Sequence, residues 1–171
     1  MTVDSITVPL GEAQLIVPTR VLVRTFLEKH ANGAAQPPTL AAVTPRIGEV
    51  WPGQGGIYAG TFCDPYGKPT HHLILAEAKV SPMTWQDAKD WAAKLEAGGH
   101  ADFRLPSRIE GLSLFMHLAD RFDKEWHWLD PQCAPNPGCA WIQNFSNGNQ
   151  YGYHKDNRYR ARAVRQISLA I

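Results

Sequence analysis

The sequence predicts an α+β fold, with two helices packed on antiparallel strands behind an N-terminal extension. Two observations carry this. Strand-like runs stand before and after the helices, with no strand–helix–strand alternation that would call for a parallel sheet. The strands are separated by glycine, proline and asparagine turns of the kind that join antiparallel neighbours.

The first 45 residues read as the extension. VDSITVP (residues 3–9) and AQLIVP (13–18) are short strands around Leu10-Gly11-Glu12. Residues 19–30 (TRVLVRTFLEKH) read as a helix capped by Thr19 and ended by Asn32-Gly33. The small, proline-bearing stretch 31–46 marks the boundary, so the divisions are 1–45 and 46–171.

In the main domain, a glycine-rich entry, Trp51 to Gly56, leads to the strand Ile57–Cys63. A turn at Asp64–Lys68 then gives the strand His71–Ala76, forming a hairpin. Alternation places His71 and His72 on opposite faces of that strand. Thr84 caps a helix running to Leu95, with Trp85, Ala88, Ala92 and Leu95 on its inner face, Asp90 paired with Lys94, and Gly98-Gly99 as its stop. Ser107 and Glu110 make a capping box for a second helix reaching about Phe122, with Ile109, Leu112, Met116 and Ala119 turned inward. Residues 126–139 (WHWLDPQCAPNPGC) read as a long ordered loop that opens on a short strand. The tail follows: an apolar strand through Trp141, Ile142 and Phe145, a turn at Ser146–Asn149, a tyrosine strand Gln150–His154, a turn at Lys155–Asn157, and an arginine-bearing closing strand 158–167. First and last strands of the domain could pair, which would bring its termini together.

Composition is ordinary for a globular chain: 44% hydrophobic, 19% charged and a net charge of +1, so neither nucleic acid nor a membrane surface is an expected partner. No run of about 18 apolar residues occurs, so no membrane span is read. No secretory signal is read in MTVDSITVPLGEAQ, and synthesis in a cytoplasm is the simplest reading. Three cysteines, Cys63, Cys133 and Cys139, do not make a full disulfide framework, although Cys133 and Cys139 could close a loop if the protein works outside the cell.

Three motifs in order carry a family resemblance: Trp85 with Ala88, Arg104-Leu105-Pro106-Ser107 with Glu110, and Arg162-Ala163-Val164-Arg165. Residues 47–167 resemble the Lcl C-terminal domain family, also called domain of unknown function 1566. The resemblance implies a C-type-lectin-like fold and a bacterial, phage or prophage setting with virion association. Where many members carry an aromatic-Trp-Ser/Thr-Ser segment, this chain reads Glu125-Trp126-His127-Trp128-Leu129-Asp130.

Chemistry is weighed against ordinary structure. The calcium triplets of C-type lectins are missing, and Asn144, Asn147, Asn149, Asp156 and Asn157 sit where turns favour them, so no metal is expected. Cys133, Cys139, His127 and His154 lack zinc spacing. Cys63 is the one suggestive thiol, but the cysteine pair of sulfatase-activating enzymes, which resemble this fold, has no counterpart, so neither catalysis nor a cofactor is expected. Arg104, Arg162 and Arg165 read as structural; Arg158 and Arg160 read as freer.

The reading is a non-enzymatic module that binds a glycan or protein through the 126–139 loop and the tail 147–160. Its candidate residues are Trp126, Trp128, Asn147, Asn149, Tyr151, Tyr153, His154, Asn157, Arg158, Tyr159 and Arg160. The extension would attach it to a partner or build a homo-oligomer. The alternatives are a structural virion component, and an intracellular enzyme or regulator with a pocket near Cys63 and His71.

Overall fold

The structure, a computed structural model, describes residues 5–10, 13–18 and 44–169, with side chains from residue 44 onward. The predicted helix 19–30 and most of the linker lie outside the described residues. The chain divides into two compact units, Met1–Val43 and Thr44–Ile171. In the first, β1 (Ser5–Leu10) and β2 (Ala13–Pro18) pair antiparallel, from Ser5 opposite Pro18 to Leu10 opposite Ala13.

The second unit is an α+β domain with two antiparallel sheets. The larger has the order β3 (Val50–Trp51), β4 (Gly56–Cys63), β5 (Pro69–Leu75), β9 (Val164–Ser168); the smaller has the order β6 (Trp126–Gln132), β7 (Cys139–Asn144), β8 (Gln150–His154). First and last strands do not pair: β9 lies against β5, and β3 takes the opposite edge. The reason lies in the run 158–163. It passes along β6, where Trp128 N–H donates to Arg160 C=O at 2.9 Å, then delivers Ala163 C=O to Ala76 N–H, also at 2.9 Å. The predicted strand 158–167 is thus a stitch between the sheets, regular only from Val164.

The helix α1 (Trp85–Ala93) starts where its cap predicts, with Thr84 accepting from the Asp87 N–H. Trp85, Ala88 and Ala92 are buried in a core with Trp128, Ala140, Ile142 and Ala161. The helix stops at Ala93, before Gly98-Gly99, and Asp90 accepts from Gln86 rather than pairing with Lys94. Gly98 instead turns with positive φ against Gly55, where a side chain would strike backbone.

The helix α2 (Arg108–Leu118), followed by a 3-10 turn at Ala119–Arg121, has the full capping box of Ser107 and Glu110. Its inner face differs from expectation. Glu110, Gly111, Leu114 and Leu118 are buried, while Ile109, Leu112 and Met116 are 72%, 43% and 69% exposed and Ala119 is only half-buried. Gly111 sets this rotation: a Cβ there would meet the Gln143 amide at 2.8 Å and a Leu129 methyl at 2.9 Å. The missing side chain lets the helix seat on the smaller sheet, and Gln143 Nε2 donates 2.7 Å to Gly111 C=O. Leu114 and Leu118 join Ile57, Leu73, Leu75, Phe122, Phe145 and Val164 in a second core.

The predicted loop 126–139 is mostly strand. Trp126 lies opposite Asn144 and Trp128 opposite Ile142, leaving only 133–138 as the connection between β6 and β7. Cys63, Cys133 and Cys139 are thiols; Cys133 is buried, and that burial, with Cys139 beside it, raises its pKa.

Candidate ligand-binding groove

The motif arginines hold the framework of the domain. Arg104 makes a two-pronged ion pair with buried Glu110 at 2.8 and 2.7 Å. Burial raises the Glu110 pKa, but Arg104, the Ser107 N–H and Gln166 outweigh it and hold the carboxyl down to about 2. Arg162, 3% exposed, donates to the carbonyls of Arg121 and Ala76 at 2.6 and 2.7 Å with its guanidinium over Phe122. Arg165 grips Asp102 at 2.6 Å and the Gln54 amide oxygen at 2.9 Å, and the hydrogen bond lowers the Asp102 pKa. All three are structural, as expected.

An aromatic strip runs along the smaller sheet. The half-buried Trp126 lies 5.8 Å from Tyr151, centroid to centroid. Tyr159 packs edge-on against Trp128 at 5.0 Å and against Tyr153 at 5.7 Å. Tyr151 and Tyr153 are 53% and 48% exposed. They share a face with Ile142 and Ala140, their β7 partners, and lie where that buried face runs out to the sheet edge. The strip adjoins a groove of about 280 Å³ lined by Pro82, Lys124, Glu125, Trp126, Asn144, Arg158, Tyr159 and Arg160.

The sequence-predicted residues separate into groups. Trp126, Arg158, Tyr159 and Arg160 meet in the groove, with Tyr151 and Tyr153 beside it. Trp128 is a correction: it is fully buried, its indole N–H bonded to Met83 C=O at 2.8 Å, so it supports Tyr159 and offers no surface. Arg160 is not free, since it pairs with Glu125 at 2.6 Å and Asp123 at 3.4 Å. Arg158 is exposed and, among the described residues, donates only to Pro82 C=O, at 3.0 Å. Asn147 and Asn149 are exposed, and the Asn147 amide oxygen accepts from the Asn149 N–H. Asn157 likewise ties back to His154 C=O. His154 sits on the opposite face of β8 from Tyr153, within 3.3 Å of Asp156. The proline loop 133–138 lies beside His154, at the far end of the sheet from Trp126, so it does not border the groove.

Pro82, Lys124, Glu125 and Asn144 also line the groove, and none of them was among the candidate residues read from the sequence. Asn144 carried a faint signal as an amide before a turn. Pro82, more than 40 positions before Trp126, carried none. His127, weighed for zinc, is buried between Phe122 and Phe145, and burial lowers its pKa to about 4. Among the described residues, no group of three or more His, Cys, Asp or Glu side chains is placed to hold a metal ion. His71 is held by Thr70 and Gln166 and stacked on Phe62, while Cys63 is exposed. No described helix is long and apolar enough to cross a membrane.

A comparison with known families matches residues 63–165, well over half the chain, to the Lcl C-terminal domain. The chain belongs to that family. The Lcl C-terminal match begins at the end of β4, later than the resemblance read from residue 47, and contains all three arginine-bearing and helix-capping motifs. No curated protein matches the chain. Among solved structures, the crystal structure of botrocetin is similar at 12% identity and a TM-score of 0.38, over 62% of this chain and 100% of that one.

Proposed function

We propose that this Lcl C-terminal domain is a non-enzymatic recognition module of C-type-lectin-like arrangement and phage or prophage type. It binds a glycan or protein through the groove between Pro82 and Arg158 and the tyrosine strip beside it. The observation that carries the reading is the meeting of aromatic faces with unspent donors. Trp126 and Tyr159 give flat apolar walls, Asn144 adds an amide, and Arg158 and Lys124 each use a donor on a main-chain carbonyl while keeping others for a ligand. Tyr151 and Tyr153 add contact area at small entropic cost. The phage setting rests on the family resemblance alone.

The test is a screen of the purified chain against glycan and protein arrays, repeated with Arg158→Ala and with the Tyr151→Ala/Tyr153→Ala pair. Array hits should weaken by about tenfold or more, the scale of one lost interfacial anchor, while the melting temperature stays put. Hits that survive both variants, or a collapse in stability, would overturn the reading.

A further inference from the structure

The smaller sheet has two unlike edges. The outer edge of β6 is closed by the chain itself, with Arg160 exchanging hydrogen bonds with Trp126 and Trp128 at 3.2 and 2.9 Å. Among the described residues, the outer edge of β8 pairs with no strand. The bonds from Asn144 N–H to Asn149 C=O and from Lys155 N–H to Gly138 C=O fix the phase of the β7–β8 ladder. By antiparallel alternation, Tyr151 and Tyr153 turn their backbone toward β7, while Gln150, Gly152 and His154 turn theirs outward. His154 C=O is taken by Asn157. Among the described residues, nothing answers the N–H and C=O of Gln150 and Gly152 or the N–H of His154.

An open edge invites another strand, and proteins ordinarily blunt one with lysine, proline or a bulge. Gln150-Tyr151-Gly152-Tyr153-His154 contains none of these. Its order is nearly the same read from either end, with Gly152 at the centre and a tyrosine on each side. A two-fold interface requires such self-complementarity, because each residue must face its mate's counterpart.

We infer that β8 pairs antiparallel with β8 of a second copy about a two-fold axis at Gly152, joining the two small sheets into one of six strands. In that register the two Gly152 residues exchange both of their hydrogen bonds, and each His154 N–H donates to Gln150 C=O of the other copy. Each Tyr151 meets Tyr153 of the other copy as a cross-strand aromatic pair. The two proposed ligand strips then adjoin in one face, although the pairing itself does not depend on that function. A second observation supports the same edge. The flank of α2 reaches it, with Arg108 bonded to Gln150 at 3.0 Å and Phe115 lying under Gly148. Leu112, one turn on from Arg108, and Met116 beyond it stand exposed on that flank, giving a second copy apolar surface to cover.

The experiment is sedimentation of the full chain over a wide concentration range, with amide hydrogen exchange read residue by residue. A dimer is expected in which the amides of Gln150, Gly152 and His154 slow by about tenfold or more as concentration rises. Those of Tyr151 and Tyr153 are protected by β7 throughout. His154→Pro removes an outward N–H on an edge strand where proline is tolerated, and it should return the chain to monomer with the Tyr151 and Tyr153 amides still protected. A chain that stays monomeric, a dimer whose Gln150 and Gly152 amides exchange freely, or a His154→Pro variant that still dimerises would overturn the inference. All of this is read without ligand, so loss of array binding in the tyrosine variants is a separate outcome.

Discussion

Five arginines of the domain divide into two sets with the same chemistry and different consequences. Arg104, Arg162 and Arg165 are drawn in among sheets and helices, and each donates to two or more fixed oxygens. Arg158 and Arg160 stand at the groove rim, one on a single carbonyl and the other on two solvent-facing carboxylates. What separates the sets is the cost of an unanswered partner. A buried acceptor or charge left alone pays its full desolvation, whereas an exposed one recovers water. The inner set therefore holds the architecture, whereas the outer set rests on bonds that water can replace.

The sharpest way to break this comparison is Arg104→Ala. It strands Glu110, only 3% exposed, without its counter-charge, and should cost about 3–5 kcal/mol in urea unfolding. A loss under about 1 kcal/mol would place Arg104 with the rim set.

Acid should find the inner framework next. His127 is neutral in the fold, with a pKa of about 4 against 6.5 for the free side chain. The unfolded chain therefore takes up a proton first. Stability is flat above pH 6.5 and falls as pH drops toward 4, by about 2–3 kcal/mol at the bottom of that window. Burial also lowers the pKa values of His71 and His72, which add to the same slope. Glu110 acts lower still: its stabilisation is complete above 4.5 and is lost as pH falls toward 2. His127→Phe should remove most of the slope between 6.5 and 4 while leaving the Glu110 loss in place. An unchanged upper slope would mean that His127 is not its source.

The smallest effect belongs to the rim. Arg160→Ala should move the melting temperature by only about a degree, and less in high salt, because its ion pairs face solvent. A shift of several degrees would mean that the Arg160 side chain belongs with the framework, as its backbone does through its bonds to Trp126 and Trp128.

Much of the architecture was legible because its signals are local. Thr84 with Asp87 and Ser107 with Glu110 announce helix starts within four residues, and the turns at Asp64–Lys68, Ser146–Asn149 and Lys155–Asn157 fall where their residue types place them. The candidate site was half legible. Trp126, Tyr151, Tyr153, Arg158 and Tyr159 do gather at one surface, but nothing near Trp128 revealed that Tyr159 would cover it. Nor did any pattern place Pro82 beside Asn144.

The sequence by itself determined where the helices start, where the strands turn, and which arginines would be spent on structure, since those outcomes need only neighbours along the chain or a family motif. The tertiary structure decided which side of α2 is buried. Apolar spacing favoured Ile109, Leu112 and Met116, yet Gly111 allowed a closer approach to Gln143 and Leu129, and Arg104 made burial of Glu110 tolerable. A glycine and a glutamate contribute nothing to an apolar stripe. Their value appears only when another element arrives to use the missing side chain and neutralise the charge.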